Sequence, residues 1–335
     1  WDTSLSSDGA HSLLAAAVGA SSLVAVSTTI VVTVVNRPQL ADDTRYLLFQ
    51  SFIGGDLDTG FGIADQTQAK TELEGYVSQI DSALGLNTVA LADNRRYGFA
   101  VGPLTLNMPD QKLGDTIKTA FDVALEKKVS VALHFDISHF WKNAKNADGT
   151  LLSADRGALD NREWKDWNGT IADGDHWQPN LMPMLCLECT QVKALADRLA
   201  TNVIAPAVLA GLARLNAAGR PDLFAGVIIG WEAGSDNPIG YHSLSLKGYT
   251  SATPLADLNK AQQQILHDYL VRWTKILFDK GISRNKIYTH TTHATQWDID
   301  NFRGYTAARQ MQGAGFSNWL LGMANGPDSF WVPFN

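Results

Sequence analysis

Short hydrophobic runs recur along most of the chain, and stretches with apolar residues three and four positions apart separate them. The runs predict strands at 46–54, 86–93, 129–138, 225–233, 286–294 and 317–324. The stretches between them predict helices at 68–84, 112–128, 190–218, 256–281 and 298–312. Strands and helices that alternate in this way form parallel sheets, because each helix carries the chain back to the starting edge.

Apolar strands without polar alternation are buried on both faces, as in doubly wound sheets and closed barrels. No Gly-rich phosphate loop or Walker motif follows any predicted strand, so we expect no nucleotide and no other cofactor. We therefore predict an α/β fold, a (β/α)8 barrel of the TIM type, over residues 45–335. Fewer units are visible than the eight of a complete barrel, so we expect the barrel to be incomplete at its C-terminal end.

Residues 1–37 follow a different pattern. Within them STTIVVTVVN, at 27–36, alternates β-branched and polar residues and predicts a strand. The segment resembles the last strands of bacterial immunoglobulin-like modules, through Asp8-Gly9-x-His11-Ser12-Leu13 and Val32-Thr33-Val34-x-Asn36. The resemblance implies the C-terminal part of an all-β sandwich, a chain that starts inside a domain, and an extracellular or cell-surface location.

Composition narrows the class of partner. The net charge is −7, and no long basic run is present, which argues against nucleic acid and anionic membrane surfaces. The sequence contains no uninterrupted apolar run of about 18 residues, so we predict no membrane-spanning helix. Ten Trp, eight Tyr and thirteen Phe supply flat faces that pack in cores or stack on sugar rings, so a carbohydrate partner is compatible with the composition.

The segment from Phe140 to about Thr190 is long, rich in turns and rich in Trp. Loops of this length without periodicity are usually functional or disordered. Because it follows the third predicted strand, we expect it to overhang the carboxyl edge of the sheet as a lid or a subsite wall.

Glu232 ends the apolar run AGVIIGWEA, next to Trp231. A side chain at the carboxyl end of a barrel strand faces the mouth, where active sites of this fold lie. The apolar residues before Glu232 favour a protonated carboxyl group, as an acid catalyst requires. The alternative is a structural ion pair with a neighbouring Arg or Lys.

A Glu after strand four of a barrel with Trp-rich loops resembles the clan of retaining glycoside hydrolases. The resemblance implies that Glu232 is the acid/base and that the protein cleaves glycosidic bonds. That clan usually has Asn before the acid/base, whereas Trp231 stands here, and its nucleophile follows strand seven. No Glu follows position 232, so the second carboxylate lies beyond Asn335 or is an Asp, of which Asp136 is the best placed.

Further residues lie near predicted strand ends or in the aromatic loops. His134 and Asp136 share one face of a strand, and Arg95 and Arg96 follow the second predicted strand, where they orient substrate or form ion pairs. We predict that ten residues bind substrate: Asp136, His134, His139, Trp141, Arg95, Arg96, Trp231, Tyr241, His290 and Trp297.

Two other hypotheses remain open. The spacing His134-x-Asp136-x-x-His139, with His290 and His293 on another strand, suits a metal-dependent hydrolase, although hydrogen bonds to sugar hydroxyls are favoured. A non-catalytic glycan-binding or structural surface protein, able to assemble with neighbouring modules, accounts for the missing second carboxylate.

The two cysteines form one Cys186-x-x-Cys189 motif, half of a zinc site or a redox pair. Without further ligands in the local sequence, a structural role is the favoured interpretation.

Overall fold

The computed structural model describes a defined part of the chain, namely residues 9–13, 16–18, 24–34, 45–51, 66–84, 95–154, 160–172, 183–234, 240–292 and 329–333. The chain divides into two compact units. The small unit is Trp1–Arg45 with Ala92–Asn94, and the large unit is Tyr46–Leu91 with Arg95–Asn335.

The small unit contains four short strands: β1 (Gly9–Leu13), β2 (Ala16–Val18), β3 (Val24–Val26) and β4 (Ile30–Val34). β1 pairs antiparallel with β4, and β2 pairs antiparallel with β3. The strand predicted at 27–36 is present as β4, where β-branched side chains suit extended backbone.

The large unit contains strands and helices in alternation: β5 (Arg45–Ser51), α1 (Gln66–Leu84), β6 (Arg95–Thr105), α2 (Asp110–Lys127), β7 (Ser130–Asp136), α3 (Thr190–Leu199), α4 (Ala205–Ala217), β8 (Phe224–Gly234), α5 (Tyr241–Leu246), α6 (Leu255–Asp279), β9 (Ile287–Thr292) and β10 (Ser329–Pro333). A π-helical turn, Ala200–Ile204, joins α3 to α4. Single 3₁₀ turns, Pro221–Leu223 and Arg284–Lys286, precede β8 and β9.

β5 to β9 form a parallel sheet in which neighbours in space are neighbours in sequence. The predicted α/β fold with a parallel sheet is therefore confirmed. β10 extends this sheet at the far side of β9 but runs antiparallel, with Trp331 opposite His290. This reversed strand departs from the all-parallel pattern of a regular (β/α)8 barrel.

Both faces of the central strands are buried, as all seven residues of β7 show. One face contributes large residues such as Leu133, Phe135 and Ile229 to the main core. The other face is lined by small residues together with two tyrosines from the flanking strands: Ala100, Ala132, Ala225, Ile228, Tyr46, Leu48 and Tyr288. Burial on two sides explains why these strands lack polar alternation.

β6 corrects the sequence prediction. The strand predicted at 86–93 lies outside the described residues, whereas Arg95–Thr105 forms a long strand. Sequence patterns missed it because Gly98, Gly102 and Pro103 interrupt its apolar run, and such residues are rare in strands. Both glycines lie close to β7: a Cβ added at Gly98 or Gly102 would approach a β7 carbonyl oxygen to 1.8 or 2.3 Å.

Four predicted helices are present with small changes at their ends, as α1, α2, α3–α4 and α6. The helix predicted at 298–312 and the strand predicted at 317–324 lie outside the described residues. Among the described helices, Thr190–Ala217 is the one that is long and apolar enough to cross a membrane, a weak criterion that buried crossover helices also meet. It connects β7 to β8, and Val192, Leu195 and Val208 are buried in the core.

Candidate active site

The carboxyl ends of the parallel strands meet at one edge of the sheet, which we call the carboxyl edge. Thr105 of β6 and Asp136 of β7 are paired there, and β8 and β9 end at the pair Gly234 and Thr292. The long loop after β7 begins at this edge. In α/β folds ligands bind at this edge, because the loops that follow the strands gather there.

Glu232 lies on β8 close to the carboxyl edge, inside an irregular stretch of the strand. Ile229 pairs with Thr289 of β9, and the next pair is Ala233 with Thr291. The β8 residues 230–232 therefore face the single β9 residue His290, so β8 bulges at this point. Bulges re-aim side chains and are common beside active sites. The side chains of Trp231, Glu232 and His290 are outside the described part of the structure.

The bulge is contacted by a fully buried histidine. His134 Nε2 lies 2.9 Å from the carbonyl oxygen of Gly230, and its Nδ1 lies 3.1 Å from Gln50 Oε1. Gln50 Nε2 donates to the carbonyl oxygen of Gly102 at 2.8 Å, which fixes the amide orientation. Gln50, Gly102, His134 and Gly230 thus connect four neighbouring strands at the β8 bulge.

Both ring nitrogens of His134 face oxygen atoms, so the neutral imidazole can donate to only one of them at a time. Burial lowers its pKa to about 3, and the Gly230 carbonyl and the Asp136 charge oppose this only in part. His134 was predicted from sequence to bind substrate, and the described contacts give it a role in supporting the bulge. Gln50 was not predicted, because a single Gln on an apolar strand carries no distinctive signal.

Asp136 organises the start of the loop after β7. One carboxylate oxygen accepts hydrogen bonds from the backbone N–H of Ser138 at 3.0 Å and of His139 at 2.9 Å. His139 Nδ1 lies 3.1 Å from both carboxylate oxygens. Asp136 and His139 are each 1% exposed, so these contacts favour a role in loop geometry over direct contact with substrate.

The predicted metal ligands His134, Asp136 and His139 do not form a metal-ligand cluster among the described residues. The ring nitrogens of His134 face Gln50 and Gly230, while His139 faces Asp136. Position 293 lies outside the described residues.

The aromatic residues predicted to bind substrate differ in placement. Trp141 is fully buried, and its Nε1 donates to the carbonyl oxygen of Pro183 at 3.0 Å, so its ring packs in the core and presents no face to a sugar. Tyr241 is half-buried and its ring lies 4.8 Å from that of Trp167. Trp297 lies outside the described residues.

Arg95 and Arg96 require a correction, because they begin β6 instead of following a strand. They therefore lie at the amino edge of the sheet, a full strand length from Thr105. Arg96 Nε donates to Asp222 at 2.8 Å, and Arg220 also pairs with Asp222. Burial raises the pKa of Asp222, but the two guanidinium groups outweigh it and hold that pKa below its usual value. Arg96 takes the ion-pair alternative, away from the carboxyl edge.

A buried polar cluster that was not foreseen from the sequence joins the loop after β7 to the segment after β8. Glu163 accepts hydrogen bonds from the backbone N–H of His242 at 3.1 Å and of Ser243 at 3.3 Å, and from the Ser243 hydroxyl. Burial raises the pKa of this carboxyl group. Glu163 was missed because an Asn-Arg-Glu-Trp segment in a loop has no periodicity that indicates burial.

The two cysteines border the same cluster as free, buried thiols. Cys189 Sγ lies 3.9 Å from His242 Nδ1, and Cys186 Sγ lies 3.6 Å from the Ser243 hydroxyl. Burial lowers the pKa of His242, but Cys186, the Arg162 carbonyl and Glu163 outweigh it and raise that pKa to about 9. Burial raises the pKa of the Cys186 thiol well above its usual value.

A cavity of about 640 Å³ opens between the loop after β6, the loop after β7 and α3. Three amide side chains line it, those of Asn107, Asn143 and Asn146, together with the ion pair of Arg198 with Asp110. Its volume is in the range of small-molecule sites.

Comparison with models of known protein families, with curated proteins and with solved structures gave no significant match to this chain.

Proposed function

We propose that the large unit is a glycoside hydrolase in which Glu232 is the general acid/base. The observation that carries the proposal is the bulge in β8, where residues 230–232 oppose one residue of β9 close to the carboxyl edge. A regular strand has no need of such a bulge, and in active sites bulges orient a functional side chain. Cleavage of a glycosidic bond requires a carboxylic acid that protonates the leaving oxygen.

The finer fold proposal is a (β/α) barrel that includes one reversed strand. A sequential strand order without a switch point supports a barrel, because doubly wound sheets reverse their order in the middle. Burial of the face lined by Ala100 and Ala132 supports an enclosed interior. For the small unit we propose the end of an immunoglobulin-like module, on the basis of its antiparallel pairs and the sequence resemblance.

The proposed substrate is a neutral polysaccharide or glycan outside the cell. The cavity between the loops after β6 and β7 and α3 is lined by amide side chains, a group type that hydrogen-bonds to sugar hydroxyls, and some of these amides also hold the loops, as Asn107 does by accepting from the Asn143 backbone. The extracellular location rests on the resemblance of residues 1–37 to modules of secreted and surface proteins.

The test compares Glu232→Gln with a matched control, Glu126→Gln, which changes an exposed carboxylate at the end of α2. Purified variants are assayed on a panel of aryl glycosides and polysaccharides. We expect Glu232→Gln to lower kcat about 10²-fold to 10⁴-fold on substrates with poor leaving groups. The loss is smaller with highly acidic phenol leaving groups, because these depart without protonation. Equal activity of wild type and Glu232→Gln rejects the proposal.

A glycan-binding protein without hydrolysis is the second candidate. It is favoured by one observation: the carboxylate of Asp136, near the carboxyl edge, is already committed to Ser138 and His139. Binding to a glycan array without release of reducing sugar, in wild type and Glu232→Gln alike, supports this candidate and not the first.

A further inference from the structure

We propose that Cys186, Cys189 and His242 bind one zinc ion. These three residues bring one ligand atom each to within 4.8 Å of one another, and all three are buried. Two thiolates and an imidazole are typical zinc ligands, and a tetrahedral zinc ion holds such atoms about 3.5 to 3.8 Å apart. The distance of 4.0 Å between Cys189 Sγ and His242 Nε2 requires only a small contraction.

The imidazole of His242 is oriented for coordination by groups outside the cluster. Its Nδ1 lies 2.8 Å from the carbonyl oxygen of Arg162 and donates to it, so Nε2 is the nitrogen at which the metal would take the place of the proton. The ring of Trp164 stacks on the imidazole at 4.1 Å with an angle of 2° between the planes. Metal-bound histidines commonly donate their second N–H to a carbonyl oxygen, as His242 does to Arg162, because this hydrogen bond fixes the tautomer and the ring direction.

The Ser243 hydroxyl borders the three ligands and is the group that would supply a weak fourth ligand. Its oxygen lies 3.6 Å from Cys186 Sγ and gives its hydrogen to Glu163, so a lone pair remains available on the side of the cluster. Glu163 itself accepts hydrogen bonds from Trp164, His242 and Ser243, and these occupy its oxygen atoms. The carboxylate thus positions ligands without being one.

Zinc binding displaces three protons, one from each thiol of Cys186 and Cys189 and one from the imidazolium of His242, and all three leave to solvent. No electron is transferred, and two thiolates balance the charge of the ion. The cluster is closed, since Cys186, Cys189 and His242 are at most 5% exposed. Because its ligands are shielded from solvent, we infer a structural role for the ion.

The ion would join two separate chain segments. Cys186 and Cys189 form the turn before α3, and His242 and Ser243 lie at the start of α5. Arg162, whose carbonyl orients His242, is held next to the cysteines by its backbone pairing with Leu185. Zinc at this point fixes the loop after β7 to the segment after β8. The site is independent of Glu232, so the proposed hydrolase and the proposed zinc site are tested separately.

The test measures zinc in the full chain, purified without chelator, by inductively coupled plasma mass spectrometry. We expect about one zinc ion per chain. Cys189→Ala removes one ligand while a small side chain still fills the site. His242→Asn removes Nε2 but keeps a donor for the Arg162 carbonyl. Both variants should lose at least about nine-tenths of the zinc, and His267→Asn, on α6, should retain it.

Folding of each variant is checked by circular dichroism, and a second measurement does not depend on variants. Metal-free wild type is titrated with Co²⁺, and we expect thiolate-to-cobalt charge-transfer absorption with the strong visible bands of tetrahedral cobalt. Chelation should lower the Tm of wild type and leave that of Cys189→Ala unchanged.

Three results would overturn the proposal. One is wild-type protein that holds no zinc as purified and takes up none on titration, with two thiols reactive after denaturation. Another is a Cys186–Cys189 disulfide in the natural protein, detected as the mass of two missing hydrogens before reduction. The third is zinc that persists unchanged in both ligand variants. The two proposals fail separately. A zinc-ligand variant that loses zinc but still hydrolyses glycosides leaves the role of Glu232 intact, and Glu232→Gln that loses hydrolysis but keeps its zinc leaves the zinc site intact.

Discussion

Gln50 and His134 meet across an intervening strand, with Gln50 Oε1 3.1 Å from His134 Nδ1. The residue between them is Gly102 of β6, whose backbone carbonyl accepts a hydrogen bond from Gln50. A Cβ at Gly102 would lie 2.3 Å from the backbone oxygen of His134 and 2.9 Å from its Cβ. Absence of a side chain at Gly102 is therefore what permits this contact beneath the β8 bulge.

Gly102→Ala should destabilise the large unit. The added methyl group meets backbone atoms that cannot move away easily, and φ at Gly102 is +156°, which other residues rarely adopt. We expect a loss of about 1–3 kcal/mol in the free energy of unfolding, measured by denaturant titration. Gly75→Ala, on the open surface of α1, is the control and should be neutral or stabilising. Equal stability of Gly102→Ala and wild type would contradict the close approach of β6 to β7.

The neutral state of His134 predicts a dependence of stability on pH. Its pKa is about 3 in the folded protein against an ordinary value of 6.5, so the unfolded chain binds the proton first as the pH falls. The contribution of His134 to stability is complete above pH 6.5 and is lost as the pH falls from 6.5 towards 3. Each pH unit in that window costs about 1.4 kcal/mol.

His134→Gln tests this dependence, because it keeps a donor for Gly230 and cannot titrate. Between pH 7 and pH 5 the free energy of unfolding should fall about 2 kcal/mol less in the variant than in wild type. Chemical denaturation at both pH values measures the difference. Parallel pH profiles for the two proteins would mean that the pKa of His134 is the same in the folded and the unfolded protein.

Two substitutions at Asp136 separate loop geometry from substrate contact. Asp136→Ala removes the acceptor of the Ser138 and His139 hydrogen bonds and should cost about 2–4 kcal/mol. Asp136→Asn keeps one acceptor oxygen and should cost about 1 kcal/mol. If Asp136 acts only on the loop, glycan affinity of Asp136→Asn stays within about twofold of wild type. A large loss of affinity in a stable Asp136→Asn protein would restore the predicted contact with substrate.

The ion pairs at the amino edge should matter for stability and not for substrate. Asp222→Asn leaves the guanidinium groups of Arg96 and Arg220 without their carboxylate, and because both are partly exposed to solvent we expect a loss of about 1–2 kcal/mol at pH 7. Arg95→Gln, at an exposed position in the same strand, should change stability by less than about 0.5 kcal/mol. Isothermal titration with a bound glycan should give unchanged Kd values for both variants.

Periodicity in the sequence was sufficient to locate the strands that are apolar throughout and the long amphipathic helices. The strand around Ile228 and the helix around Trp273 illustrate this, because burial requires apolar residues at these positions and so leaves a clear hydrophobic pattern in the sequence. β6 was missed because its glycines serve the close approach to β7, a contact that a local pattern does not contain. β10 was missed as well, because its pairing with β9 is a long-range relationship.

Candidate site residues could be predicted where they lie on a strand, because the position on the strand determines which way the side chain points. Residues in loops could not be predicted in this way. Glu232 was selected from its place after an apolar run, and the structure has it two residues before the end of β8, while its role stays a prediction. The displacement of Arg96 to the other edge followed from one wrong strand boundary. The Cys186 motif carried an ambiguous signal, because its possible partner His242 is distant in sequence and approaches only in the folded chain.

Glu163 has a consequence for how a ligand could enter between the two loops it connects. One carboxylate accepts hydrogen bonds from Trp164 on its own loop and from His242 and Ser243 after β8. Neither segment can move away alone without leaving the buried carboxyl group of Glu163 short of hydrogen-bond partners, which is costly. A ligand that enters between the loop after β7 and the segment after β8 therefore requires the two segments to move together. Otherwise it must fit while both stay in place.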